Sequence, residues 1–165
     1  MIAAVEIQSG PGGHSNNLVF WQNRFGHAQR DHRAILEALT TSKARQELER
    51  LLFGLFCTDK DESAIFSSLA SLTYDKYPLL AYFYFLKDMD RFMPIQPTGF
   101  DRVFRAMGIE LTTLRNCNWE NYWEFNAVLS DLREVIEKAS GVSGVRLVDA
   151  HSFCWVYSTL LKLVF

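Results

Sequence analysis

The chain has 165 residues, 48% of them hydrophobic and 14% aromatic, with 17 Lys and Arg against 19 Asp and Glu for a net charge of −2. That length builds one ordinary domain with a real core, and the apolar content excludes a disordered tail. The slight acidity argues against a general nucleic-acid binder, which relies on a basic surface.

Residues 9–17 (SGPGGHSNN) carry loop chemistry, and Leu18-Val19-Phe20-Trp21 reads as a short strand or an extended anchor. Residues 22–30 (QNRFGHAQR) are polar and aperiodic, which predicts an exposed loop. Asp31 is placed to cap a helix running to about Leu39. A second helix is predicted over 43–57, with Leu48, Leu51, Leu52 and Leu55 on one face. A third covers 59–72, with Ile65, Leu69 and Leu72 inward. Tyr77-Pro78 opens a strongly apolar helix to Leu86, and an apolar surface all round predicts a central place in the core.

Residues 88–97 (DMDRFMPIQP) read as a charged turn and an extended segment, with Phe92 and Pro94 at the core edge. Residues 98–101 are expected to cap a short helix to about Met107. The longest helix is expected over 118–139, with an apolar stripe of Trp119, Tyr122, Trp123, Ala127, Leu132, Val135 and Ile136. After a break at 141–145, Asp149 is expected to cap a last helix with Phe153, Val156, Leu160 and Leu161 on its apolar face; His151 would bond a neighbouring turn. The expected fold is mainly α, a single compact helical domain over 1–165 with at most a little β-strand.

No run is long enough for a membrane span, and 1–6 (MIAAVE) has no signal-peptide pattern, so a cytoplasmic protein is expected. Cys57, Cys117 and Cys154 form no Cys-x-x-Cys pair and are expected as buried, reduced thiols. The four histidines make no HExxH or Cys/His zinc set, and no nucleophile elbow, phosphate loop or nuclease carboxylate set is present. No catalytic residue, metal or cofactor is therefore expected.

Two stretches carry a binding signal. Between His14 and Arg45 lie five basic residues, Arg24, Arg30, Arg33, Lys43 and Arg45, against Asp31 and Glu37 alone. Within that patch, His27, Gln29, Arg30 and Asp31 form a loop whose Gln and Arg suit base edges in the major groove; a hydrated helix start is the plainer account. Further on, Tyr77, Pro78 and Ala81 stand at i, i+1 and i+4 of one helix opening. Backbone N–H groups without an internal partner are expected there, beside an apolar wall. With Arg33 nearby, such a notch would hold an anion bearing one poorly hydrated atom.

The pattern His32-Arg33 … Tyr77-Pro78-x-x-Ala81 resembles the sulfur-binding domain of phosphorothioate-dependent, McrA-like type IV restriction endonucleases. The resemblance implies a DNA-reading module that performs no chemistry itself. A backbone sulfur of modified double-stranded DNA would rest against His32, Arg33, Tyr77, Pro78 and Ala81, and flanking bases would be read by the 27–31 loop. It also implies a longer restriction enzyme with a tethered HNH nuclease domain. A helical protein–protein interaction adaptor, in a defence or toxin–antitoxin system, is the alternative.

Overall fold

The computed structural model describes residues 33–164, leaving aside the side chains of 33, 34, 36, 163 and 164. Seven helices make up the described residues and none of these forms a strand, so the chain is mainly α: α1 (Arg33–Ala38), α2 (Ser42–Cys57), α3 (Glu62–Leu72), α4 (Tyr77–Lys87), α5 (Pro97–Ala106), α6 (Trp119–Ser140) and α7 (Leu147–Val164). Residues 1–32, with the strand or extended anchor expected at 18–21 and the loop expected at 22–30, lie outside the described residues. The chain divides into two compact units, residues 1–82 and 83–165, and the division falls within α4.

In the first unit, α2 begins where the Thr41 hydroxyl accepts the Ala44 N–H, a standard N-cap. Leu48, Leu51, Leu52 and Leu55 are all buried, as their helical spacing predicts. Gly54 lies on the same helix, where an added Cβ would come within 3.3 Å of the Ile65 side chain, so its small size lets α2 and α3 approach closely. Asp61 caps α3 by accepting the Ser63 N–H and hydroxyl. These bonds, the hydroxyl foremost, hold its carboxyl below the usual carboxylate range. Ile65 and Leu69 point inward as expected, but Leu72 is only half-buried because the chain leaves the helix there and the buried Thr73 takes over.

The second unit is organised by a non-helical segment, 92–96, buried at 92–95. Its ends bond to backbone, the Phe92 N–H to the Asp88 carbonyl and the Gln96 carbonyl to the start of α5, and side chains satisfy Met93 and Pro94 between them. The Met93 N–H donates to Asn126 Oδ1 (2.8 Å), and its carbonyl accepts from the Tyr122 hydroxyl (2.9 Å). Asn126 spends its own amide N–H on the Tyr122 carbonyl at 2.7 Å. His151 Nε2 lies 3.0 Å from the Pro94 carbonyl, which only accepts, so that nitrogen carries the proton. A buried backbone of this kind needs every such partner. Around it, Tyr84, Phe92, Tyr122 and Phe125 stack or meet edge-on at 5.3–6.3 Å between ring centres.

Four sequence expectations are corrected in this unit. Helix α5 is capped by the Gln96 side chain on the Gly99 N–H, with Pro97 first in the helix, and not by residues 98–101. The buried face of α6 is Tyr122, Phe125, Asn126 and Leu129, whereas Trp123 (53% exposed), Ala127 and Val135 face outward. Apolar residues sit on several sides of α6, so hydrophobicity alone did not fix which stripe is covered. Asp149 lies inside the first turn of α7 and reaches back to the Arg146 N–H at 2.8 Å, the returning half of a capping box. On α7 the buried residues include Leu147, Ala150, Cys154 and Ser158, while Phe153, Val156 and Leu160 are exposed.

None of the three cysteines is in a disulfide, and only Cys154 is buried; Cys117 is half-buried and Cys57 exposed. Burial pushes the Cys154 thiol up to about 12, which keeps it protonated and inert. Among the described residues, no helix is long and apolar enough to cross a membrane.

Candidate functional site

The opening of α4 is made by the turn that precedes it. Tyr74 and Asp75 both have left-handed backbone, at φ 54° and 55°, a conformation costly for a residue with a Cβ. The turn is held by the Asp75 N–H on the Ala70 carbonyl (2.9 Å) and by the Thr73 hydroxyl on the Leu69 carbonyl (2.8 Å). This closes α3 in the manner of a Schellman motif and turns the chain straight into Tyr77-Pro78.

The expected spare amide donors are not found at this opening. Tyr77 N–H donates to the Asp75 carbonyl at 2.8 Å. Leu79 and Leu80 both donate to the Lys76 carbonyl, at 2.9 and 3.1 Å, and Pro78 has no N–H to offer. The tight 74–76 turn folds two carbonyls under the helix mouth and so uses the donors that an isolated helix start would leave open. An anion here has to be held by side-chain cations and by apolar contact.

The three α4 residues differ in access. Tyr77 is 3% exposed, with its ring edge-on to Phe66 at 6.3 Å between centres. Ala81 has no exposed surface, and Pro78 is half-buried. Pro78 is therefore the surface member, set on a floor formed by the other two. Immediately before it, Lys76 is half-buried, Asp75 is exposed, and Tyr74 is 68% exposed. Sequence periodicity did not point to Tyr74; the signal was its place in a four-residue link between two helices, where an aromatic residue has no core to enter.

Arg33 is the first described residue of α1, and the Asp31 cap expected before it lies outside the described residues. The Arg33 side chain, and His32, His27, Gln29, Arg30 and Asp31, lie outside the described residues. Among the described residues no cluster of three or more His, Cys, Asp or Glu is placed to hold a metal ion. Outside α4, Gln96 is occupied as the α5 cap. Arg91 is exposed, its guanidinium 4.7 Å from the centre of the Phe92 ring. No family model matches the chain, and no curated protein or solved structure matches it either.

Proposed function

We propose that this chain is a cytoplasmic DNA-reading module that recognises a phosphorothioate linkage in double-stranded DNA and leaves cleavage to a tethered HNH nuclease domain. The observation that carries the proposal is the half-buried Pro78 ring at the start of α4, fixed on the buried Tyr77 and Ala81 within the pattern shared with the sulfur-binding domains.

The chemistry is that of a soft anion. Sulfur in place of a phosphate oxygen keeps the charge but accepts hydrogen bonds poorly and is weakly hydrated. Contact with the Pro78 ring then costs the sulfur little solvation. An oxygen pressed against the same ring loses its water without replacement, at about 1–3 kcal/mol for an unsatisfied polar group. Because the amide donors at this helix mouth are already used, the oxygen finds no compensation in the backbone. Arg33 and His32 supply the positive charge, and the exposed Tyr74 is a new contact for the neighbouring sugar. The loop residues His27, Gln29, Arg30 and Asp31 read the flanking bases. With a net charge of −2, the chain gains little from phosphates alone, which leaves the sulfur decisive.

The test compares oxygen- and Rp-sulfur-containing duplexes in anisotropy titrations of wild type, Arg33→Ala and Pro78→Ser. Pro78→Ser puts a hydroxyl and a backbone N–H where the ring stood, so the sulfur preference should collapse while oxygen-duplex binding holds or rises. An unchanged preference in Pro78→Ser removes the proposal. A helical interaction adaptor is the second reading, favoured by the exposed Phe153, Trp155, Val156 and Leu160 of α7. It predicts no binding to either duplex.

A further inference from the structure

We propose that the second unit carries a separate groove for an unstacked nucleotide of a single-stranded nucleic acid. The groove has a volume of about 390 Å³ and is built from the outer face of α6, the turn at 88–91 and the start of α7. Trp123, Ala127, Ser130 and Asp131 line it from α6 at spacings of four, three and one residues, so they share one helical face. Arg133 closes the α6 side, and Asp90 and Arg91 come from the turn.

Each group matches one part of a nucleotide. Trp123 is 53% exposed and touches the half-buried Trp119 at 5.9 Å between ring centres, so its ring is braced from behind while half of it faces solvent. An indole presented in that way is a stacking platform for any base. The Arg133 guanidinium suits the phosphate, with Arg91 beside it as a second positive charge, itself 3.9 Å from Asp88 in a partly exposed pair and over the Phe92 ring. Arg133 meets Glu134 only loosely, at 3.8 Å between partly exposed groups, so it exchanges that partner at little cost. Asp90 and Asp131 accept N–H groups from a base edge, as carboxylates do from cytosine or guanine. The Ser130 hydroxyl suits sugar or phosphate oxygen. Asn126 also lines the groove but is committed to Met93 and Tyr122, so it forms floor and not contact.

A basic peptide would use the tryptophan and the carboxylates but would be opposed by both arginines. A paired duplex hides the π-faces that the tryptophan needs. An unstacked nucleotide uses all of these groups together, and it needs no sulfur, so this groove stands or falls independently of the α4 site.

The experiment titrates the full chain against a fluorescein-labelled, mixed-sequence DNA hexamer, with a labelled hexalysine peptide in parallel. Wild type should bind the hexamer, Trp123→Ala should weaken it about tenfold or more, and Trp123→Phe should keep it within about threefold. Ala127→Glu, which puts a carboxylate into the groove on an exposed helical position, should weaken it without loss of helix content by circular dichroism. Arg133→Gln should lower the slope of log affinity against log salt by about 0.7, the change for one lost phosphate contact on a single strand. The sulfur preference on duplex DNA should be the same in Trp123→Ala as in wild type. Absence of hexamer binding, equal binding by Trp123→Ala, or capture of hexalysine in place of the hexamer would each overturn the assignment.

Discussion

Helices α4 and α6 are both rich in aromatic residues, yet they distribute them differently. In α4, Tyr77 and the six residues 79–84 are all buried, so its candidate site is also core. In α6, Tyr122, Phe125 and Leu129 enter the core while Trp123 and Ala127, adjacent in sequence to buried neighbours, face outward. The difference shows where recognition and stability are separable. If both proposed sites hold, a change to the α4 floor disturbs recognition and stability at once, and a change to the outer face of α6 touches recognition alone.

The sharpest way to break this contrast is Ala81→Glu. It places a carboxylate where no surface is exposed, which should cost about 3–5 kcal/mol, the range for an uncompensated buried charge. Urea unfolding should show a midpoint far below wild type. A well-folded Ala81→Glu protein would mean that the α4 floor is open after all. Next comes Asn126→Leu, which leaves the Met93 N–H without its partner. It should cost about 1–3 kcal/mol in the same assay, and Tyr122→Phe about 1 kcal/mol through the Met93 carbonyl.

A smaller, pH-dependent effect should come from His151. Burial, opposed in part by the Pro94 carbonyl, lowers its pKa from the ordinary 6.5, so the folded state binds fewer protons than the unfolded chain. Its contribution is present above about pH 6.5 and is lost as pH falls from there toward the depressed folded value. Thermal unfolding between pH 7.5 and 5.5 should show this fall in wild type and a flatter profile in His151→Gln. Smallest of all, Trp123→Ala should change unfolding stability by no more than about 0.5 kcal/mol, because its ring is largely outside the core. A loss of several kcal/mol would make Trp123 structural and erase the contrast between the helices.

Much of the helical frame was legible in the sequence, and the reasons are local. The four leucines of α2 share one helical stripe, and Asn118 caps α6 where that helix was expected to begin; the Thr41 and Asp61 caps were not singled out, and α3 starts at Glu62 rather than at 59. Gly141, at φ 68°, ends α6 where the break was expected. Burial on α6 and α7 was less legible, since each carries apolar residues on more than one side. Which side is covered depends on the 92–96 segment, whose backbone demands Tyr122, Asn126 and His151 rather than the most hydrophobic stripe.

At the candidate site, the residue types and their spacing were readable, but access and hydrogen bonding were not. Nothing in Tyr77-Pro78-x-x-Ala81 shows that the preceding turn consumes the amide donors. That outcome depends on two consecutive left-handed residues, Tyr74 and Asp75; Asp tolerates that conformation, but nothing in the type of Tyr74 asks for it.

The most direct test of sulfur recognition is the affinity of the wild-type chain for two duplexes of identical sequence, one with a single Rp sulfur and one with oxygen throughout. A preference of about tenfold to a hundredfold for the sulfur duplex is predicted, the equivalent of one oxygen left without hydration. Equal affinity for the two, at any salt concentration where both bind, would contradict it.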